Sequence, residues 1–360
     1  MLDILRKWVD RYLADEEALV LMLLLVVSFT VILTMGNVLA PVIASAIIAF
    51  LLQGMISRLV QWRCPRWLAL LLTFVVFLGV LTLIILVVLP LSWRQLINLF
   101  NELPRMLNEG QKLLMLLPDQ YPLLITHAQV QDLMEITGAE LGKLGQWVVS
   151  FSMANIGNLL AIVIYLVLVP ILVFFFLKDK DQVLALVGDL LPKKRPLMNS
   201  IWHEMNDQIA NYVRGKSIEI FLVGGISYLA FVLWDLNYAA LLGLLVGLSV
   251  VIPYIGATVV TLPVALIAYF QWGLDSQFAY LMITYLVIQA IDGNLLVPLL
   301  FSEAVNLHPT AIIMAVIVFG GLWGMWGVFF AIPLATLVKA VFNAWPRTSQ
   351  QPAEADTSSI

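Results

Sequence analysis

The sequence predicts an all-α polytopic integral membrane protein that contains two broken or re-entrant helical hairpins. Three observations carry this. Of its 360 residues, 62% are hydrophobic and 12% charged, with a mean hydropathy of +0.97, whereas a soluble domain carries about 25% charged residues. Four uncharged runs, 18–35, 38–56, 67–93 and 144–177, are each long enough for a hydrocarbon core about 30 Å thick, which takes about 20 helical residues. Two later uncharged tracts, 236–274 and 304–338, are too long for one crossing and too short for two; the first has Pro and Gly at its middle and the second a Gly-rich stretch.

The elements follow in order. Residues 1–17 mix Asp3, Arg6, Lys7, Trp8, Asp10, Arg11 and Tyr12 and read as a cytoplasmic amphipathic helix on the membrane surface rather than a cleavable signal peptide. Residues 18–93 hold the first three spans. Residues 94–143 carry leucines at helical spacing (Leu96, Leu99, Leu103, Leu107), then Pro118 and Pro122, then a second amphipathic stretch with Leu133, Ile136, Leu141 and Leu144, so an extracytoplasmic helical element is expected there. The fourth span is 144–177. Residues 178–216 form a cytoplasmic loop with a helix from Leu197 to Arg214, punctuated at its start by Pro192 and Pro196. Residues 217–343 hold a weaker fifth span, with Glu219 one turn in, and both broken segments. Residues 344–360 are polar and expected to be disordered.

Lys and Arg favour the cytoplasmic side of short loops. Arg6, Lys7 and Arg11 place the N-terminus inside, Arg58, Arg63 and Arg66 the next turn inside, and the cluster from Lys178 to Lys216 the long loop inside. Segment 94–143 holds more acids than bases and falls outside; Lys339 and Arg347 place the C-terminus inside.

The first broken tract centres on Pro253, Tyr254 and Gly256, the second on Gly324 and Gly327. Proline removes a backbone donor and glycine relaxes the backbone, so a helical hairpin is expected at each. Both continue into an apolar run with a proline, Pro263 and Pro333. The pattern is a weak internal repeat, expected to be inverted, as in many secondary transporters.

Between the two tracts lies Asp292, inside a run from 217 to 338 with no Lys or Arg; all 19 basic residues lie outside that run. An intramembrane carboxylate is expensive and marks a path for protons, ions or polar solutes. With Gln289, Gly293 and Asn294 it forms the candidate transport and ion-binding set. Asp-Gly-Asn is also a turn tripeptide, so the same residues read as a structural break. Glu219 and His308 are secondary candidates: Glu219 also reads as a partner of Lys216 or a snorkelling side chain, His308 as a structural residue before Pro309. Trp323 and Trp326 read as a pore gate or as packing rings.

Enzyme chemistry finds no support. His203-Glu204 begins like a zinc-protease helix, but Gln208 stands where the second His is needed. There is no phosphate-binding Gly-rich loop, and Cys64 is the only cysteine, so neither metal nor cofactor is expected. Mixed-sign charge runs read as solvated faces, not as a nucleic-acid site.

Tyr212-Val213-Arg214-Gly215, Pro253-Tyr254-Ile255-Gly256, Ile291-Asp292-Gly293-Asn294 followed by Pro298, Leu307-His308-Pro309 and Ile332-Pro333-Leu334-Ala335 resemble the serial motifs of the AI-2E (autoinducer-2 exporter) family, especially its PerM-type permeases. The resemblance implies a bacterial inner-membrane protein with about eight membrane segments, forming a homo-oligomer, with a pentamer the expected form. It also implies export of a small polar signalling metabolite or Na⁺/H⁺ antiport. Lys216 departs from the family pattern, which often has Gln there, and Asp292 stands where many members have Glu. The expected function is therefore secondary transport of a small polar solute coupled to H⁺ or Na⁺, with membrane lipid as surroundings. The alternatives are Na⁺/H⁺ exchange, a passive channel, or a scaffold without transport.

Overall fold

The computed structural model describes residues 16–115, 159–189, 191, 195–253, 255–301 and 307–344, together with isolated positions between 118 and 143. Every regular element among them is helical. Six described helices are long and apolar enough to cross a membrane, and four shorter apolar helices accompany them. The protein is an all-α polytopic membrane protein.

The helices are α1 (Glu16–Gln61), α2 (Arg66–Leu83), α3 (Leu89–Leu114), α4 (Leu159–Lys178), α5 (Lys180–Asp189), α6 (Pro196–Leu233), α7 (Ala239–Ser249), α8 (Ile255–Trp272), α9 (Ser276–Ile291), α10 (Val297–Phe301), α11 (Pro309–Phe329) and α12 (Ala331–Ala344). Two π-helical turns, Ile84–Val88 and Asp292–Leu296, join α2 to α3 and α9 to α10 without a break. The chain divides into two compact units, one of Met1–Ala40, Asp179–Val213 and Phe301–Ile360, the other of Pro41–Lys178 and Arg214–Leu300.

Two sequence expectations are corrected here. Spans 18–35 and 38–56 are not separated by a turn, because α1 runs as one 46-residue helix through Gly36 and Pro41. In lipid every backbone group must find an internal partner, and continuing the helix satisfies them where a turn would not. Segment 94–143 does not begin as a separate element either: α3 continues the third span as far as Leu114. The second amphipathic stretch, the start of the fourth span, the N-terminal helix and the polar tail lie largely or wholly outside the described residues. The helix expected from Leu197 to Arg214 is present and runs into the fifth span as α6, with Pro196 as its first residue, where a missing amide costs nothing.

Each π turn has the same cause. The amide of Leu89 bonds the carbonyl of Ile84, and that of Val297 bonds the carbonyl of Asp292; the next residue is Pro90 in one case and Pro298 in the other. A proline ring clashes with the carbonyl four residues back, and the wider turn just before it relieves the clash while keeping the ladder bonded.

In the first unit Leu21 of α1, Met198, Ile201 and Met205 of α6 and Ala340 of α12 form a buried cluster. Glu17 Oε1 accepts the Met198 amide at 2.8 Å, satisfying an orphan donor in the first turn of α6. In the second unit Val223, Phe231, Leu242, Val246, Val264 and Tyr285 anchor a larger core that Leu99 of α3 joins. Because lipid tails are as apolar as Leu, close backbone approach rather than apolar burial holds such helices together. Gly224 of α6 meets Gly243 and Gly247 of α7 with no side chain between: a Cβ on Gly247 would lie 2.9 Å from the Gly224 Cα and from the Ile220 carbonyl.

The short link before α7 is braced from two sides. Gln271 accepts the Asn237 amide at 2.8 Å and donates to the Asp235 carbonyl at 2.7 Å. Gln95 of α3 accepts the Leu241 amide in the first turn of α7 at 2.8 Å. Burial, and then a hydrogen bond to Glu102, push the Tyr238 phenol up to about 12, so it stays a donor to that carboxylate.

Candidate functional site

Both broken tracts are helical hairpins. In the first, α7 is only 11 residues long, about 16 Å at 1.5 Å per residue, roughly half a hydrocarbon thickness. It turns at Val250–Pro253 and packs against α8 through Val246, Val250, Val260 and Val264. Gly256 closes the turn, since a Cβ there would collide with the Ser249 carbonyl. Tyr254 lies outside the described residues.

In the second, Gly324 has φ 61° and ψ −138° and reverses the chain inside what is nominally one helix, a conformation that only glycine adopts without strain. Gly327 then sits against the Phe319 carbonyl, which its Cβ would strike. Gly256 and Gly327 thus play the same part, each seated on a backbone carbonyl across its hairpin. Pro263 and Pro333 lie inside the returning helices α8 and α12. Each leaves the carbonyl four residues earlier without a helical amide. For Pro333 that carbonyl is Phe329, and the Tyr212 hydroxyl donates to it at 2.9 Å.

Asp292 is 7% exposed and opens the second π turn with helical backbone angles (φ −58°, ψ −58°). The expected turn at Asp-Gly-Asn does not form. Gln289 and Tyr285 precede Asp292 at helical spacing and share its face. Tyr285, 1% exposed, meets the Thr261 hydroxyl of α8 at 3.2 Å. Thr261 commits its own proton to the Ala257 carbonyl at 2.7 Å, so the Tyr285 hydroxyl is the donor between the two. Gly293 and Asn294 are exposed on the other side; the Asn294 amide donates to the Ala290 carbonyl at 2.8 Å, and a Cβ on Gly293 would point into open space. The structure thus keeps Asp292 and Gln289 together and turns Gly293 and Asn294 away.

The residues missed as a group lie on α6. Lys216 and Glu219 are 4% and 2% exposed and form an ion pair of 2.7 Å across one helical turn. Asp292 stands within electrostatic reach of both. The carboxylate without a cation nearby in sequence therefore has one in space, and Glu219 is buried with Lys216 rather than snorkelling. Among the described residues, Asp292 Oδ1 and Gln289 Nε2 are buried with no hydrogen-bond partner. Such atoms are costly, and the Asp292 carboxylate has two other buried charged groups, Lys216 and Glu219, within electrostatic reach. Buried polar atoms left open beside buried charge are chemically suited to take up a proton or a polar species.

The remaining candidates have structural places. His308 is exposed and caps α11, its Nδ1 accepting the Thr310 amide at 3.3 Å. The Pro253 carbonyl accepts the Ile255 amide at 2.7 Å and the Ile252 carbonyl accepts that of Gly256 at 3.0 Å, so these carbonyls are committed to closing the hairpin. Trp323 donates to the Ile32 carbonyl at 3.3 Å, against Gly36, and Trp326 stacks on Phe330 with ring centres 6.4 Å apart.

The comparisons with known proteins agree with this architecture. The profile of the family described as AI-2E family transporter matches residues 19–347. PerM of Escherichia coli strain K12, which carries a permease name, is 49% identical over 346 residues, 96% of this chain and 98% of the relative. YueF of Bacillus subtilis strain 168, which carries a transport-protein name, is 29% identical over 309 residues, 84% of this chain and 82% of its own. The AI-2 transport protein TqsA of Escherichia coli strain K12 is 24% identical over 314 residues, 84% of this chain and 85% of its own.

Proposed function

The chain belongs to the AI-2E transporter family, and from that premise we propose that it is a secondary transporter of the bacterial inner membrane that moves a small polar solute, of the signalling-metabolite kind, coupled to H⁺ or Na⁺. The observation that supports this reading best is Asp292: a 7% exposed carboxylate with an unpartnered oxygen, on a π turn inside a membrane-length helix. Intramembrane acids are retained at ion and substrate pathways, and π turns recur at functional sites.

In the proposed cycle Asp292 takes up the coupling ion when the site faces one side, and Gln289 orients the polar solute beside it. Neutralising the carboxylate lowers the cost of carrying it past the apolar barrier. The two hairpins, each closed by a glycine on a backbone carbonyl, supply the discontinuous helices around which access alternates.

The test is flux in proteoliposomes driven by a pH or sodium gradient, with a panel of small polar metabolites. Asp292→Asn keeps size and hydrogen bonding but removes titration; it is expected to abolish ion-driven flux while leaving folding and assembly intact. Unchanged transport by this variant, with unchanged pH and sodium dependence, would overturn the assignment of Asp292. Proton movement on a sodium pulse with no organic solute would instead make the protein a Na⁺/H⁺ exchanger.

A further inference from the structure

We propose that the Lys216 ammonium, paired with Glu219 and within electrostatic reach of Asp292, is a built-in counter-cation, so that the site takes up protons and excludes sodium. This rests on the reading of Asp292 as the coupling group and decides which of the two ions it uses.

A sodium ion in a membrane interior needs several oxygen ligands at once, carboxylates, amide or backbone carbonyls. The Glu219 and Asp292 carboxylates, which lie within electrostatic reach of each other, supply oxygens of that kind. The helical geometry has already placed a cation there, because Lys216 and Glu219 are three residues apart on one face of α6 and meet at 2.7 Å with both side chains almost fully enclosed. The Asp292 carboxylate feels that same ammonium. A monovalent metal ion would enter against the lysine charge, in a place where water screens it little.

A proton meets no such obstacle. It bonds directly to the carboxylate oxygen, needs no coordination shell and occupies almost no volume. The charge balance asks for it as well. One ammonium faces two carboxylates, and a single proton on Asp292 makes the group neutral. The titratable groups within electrostatic reach of Asp292 among the described residues are Lys216 and Glu219 from α6, and Tyr285 lies two turns earlier on its own helix.

The test uses the full-length protein in lipid nanodiscs, with sodium chloride exchanged for choline chloride at constant ionic strength and no solute added. Radioactive sodium binding and the thermal unfolding midpoint are read together. The wild type should show neither saturable sodium binding nor a sodium-specific rise in its midpoint. Lys216→Gln, or Lys216→Met if the first fails to assemble, should gain saturable sodium binding about tenfold or more above the wild type, because it leaves two buried carboxylates uncompensated. Sodium should also restore part of its lost stability. Lys216→Arg should behave as the wild type, and Asp292→Asn added to Lys216→Gln should remove the gained binding. Saturable sodium binding by the wild type that disappears in Asp292→Asn overturns the proposal. So does an assembled Lys216→Gln protein that binds no sodium. Neither readout needs a transported solute, so absence of flux in liposomes would remove the transport reading while leaving this result to stand on its own.

Discussion

The Tyr212 hydroxyl donates, at 2.9 Å, to the Phe329 carbonyl, an acceptor that Pro333 leaves without its helical amide. The Tyr212 ring lies against Phe301 and Phe329, with centres 5.8 and 6.2 Å apart. A side chain from α6 thus completes the backbone bonding of the second hairpin. Tyr212→Phe should keep the ring contacts and orphan the carbonyl, lowering stability by about 1–3 kcal/mol. Pro333→Ala should partly rescue it by restoring an amide. Denaturation midpoints of the two single variants and the double variant, measured in one detergent, check the coupling.

The hairpin glycines predict a sharp contrast between positions. Gly256→Ala and Gly327→Ala each force a methyl group onto a backbone carbonyl and should open the hairpin tip, at about 4 kcal/mol or more. Gly293→Ala, with open space around it, should stay within about 0.5 kcal/mol of the parent. Expression, monodispersity and thermal midpoint of the three variants would show the difference.

The buried ion pair predicts non-additive energetics. Lys216→Met alone leaves Glu219 enclosed without its partner and should cost about 3–5 kcal/mol. Lys216→Met with Glu219→Leu should recover most of that loss. A double-mutant cycle on unfolding midpoints measures the coupling directly; simple addition of the two single effects would show that the pair does not act as a unit.

Sidedness is checked by single cysteines in a Cys64→Ser background. A cysteine at Asn108, between Arg94 and Lys143, should react with an impermeant thiol reagent from outside, and one at Gln182 from inside, following the positive-inside bias. A cysteine at Asp275, between α8 and α9, reports on the first hairpin: labelling from outside fits re-entry and labelling from inside a full crossing.

Assembly is the last expectation. Native mass spectrometry in mild detergent should show a homo-oligomer, with five subunits the expected number. A strictly monomeric active species would remove it.

The sequence made some of these features visible and concealed others for physical reasons. Both hairpins were legible because Pro253, Gly256, Gly324 and Gly327 leave local conformational signals that tertiary packing has no reason to override. The Asp-Gly-Asn tripeptide likewise marked a disturbance at Asp292. Its form was not legible, since Asp-Gly-Asn has strong turn propensity, and the helix absorbed the proline by widening one turn instead of breaking. The division between runs 18–35 and 38–56 misled in the same direction, because in an apolar solvent the need to bond every amide outweighs turn preference. The Lys216, Glu219 and Asp292 cluster could not be read as a group at all. Its members lie on α6 and at the end of α9, and only folding brings those two stretches together.

The glycine seam between α6 and α7 also restricts how this protein can move. Backbones that touch at Gly224, Gly243 and Gly247 have no slack: a Cβ on Gly243 would lie 2.7 Å from the Tyr228 Cβ and one on Gly247 2.9 Å from the Ile220 carbonyl. These two helices therefore travel as a single lever. Whatever conformational stroke the molecule makes, the flexing belongs to joints elsewhere, and the short arm of the first hairpin goes wherever the end of α6 that carries Gly224 takes it.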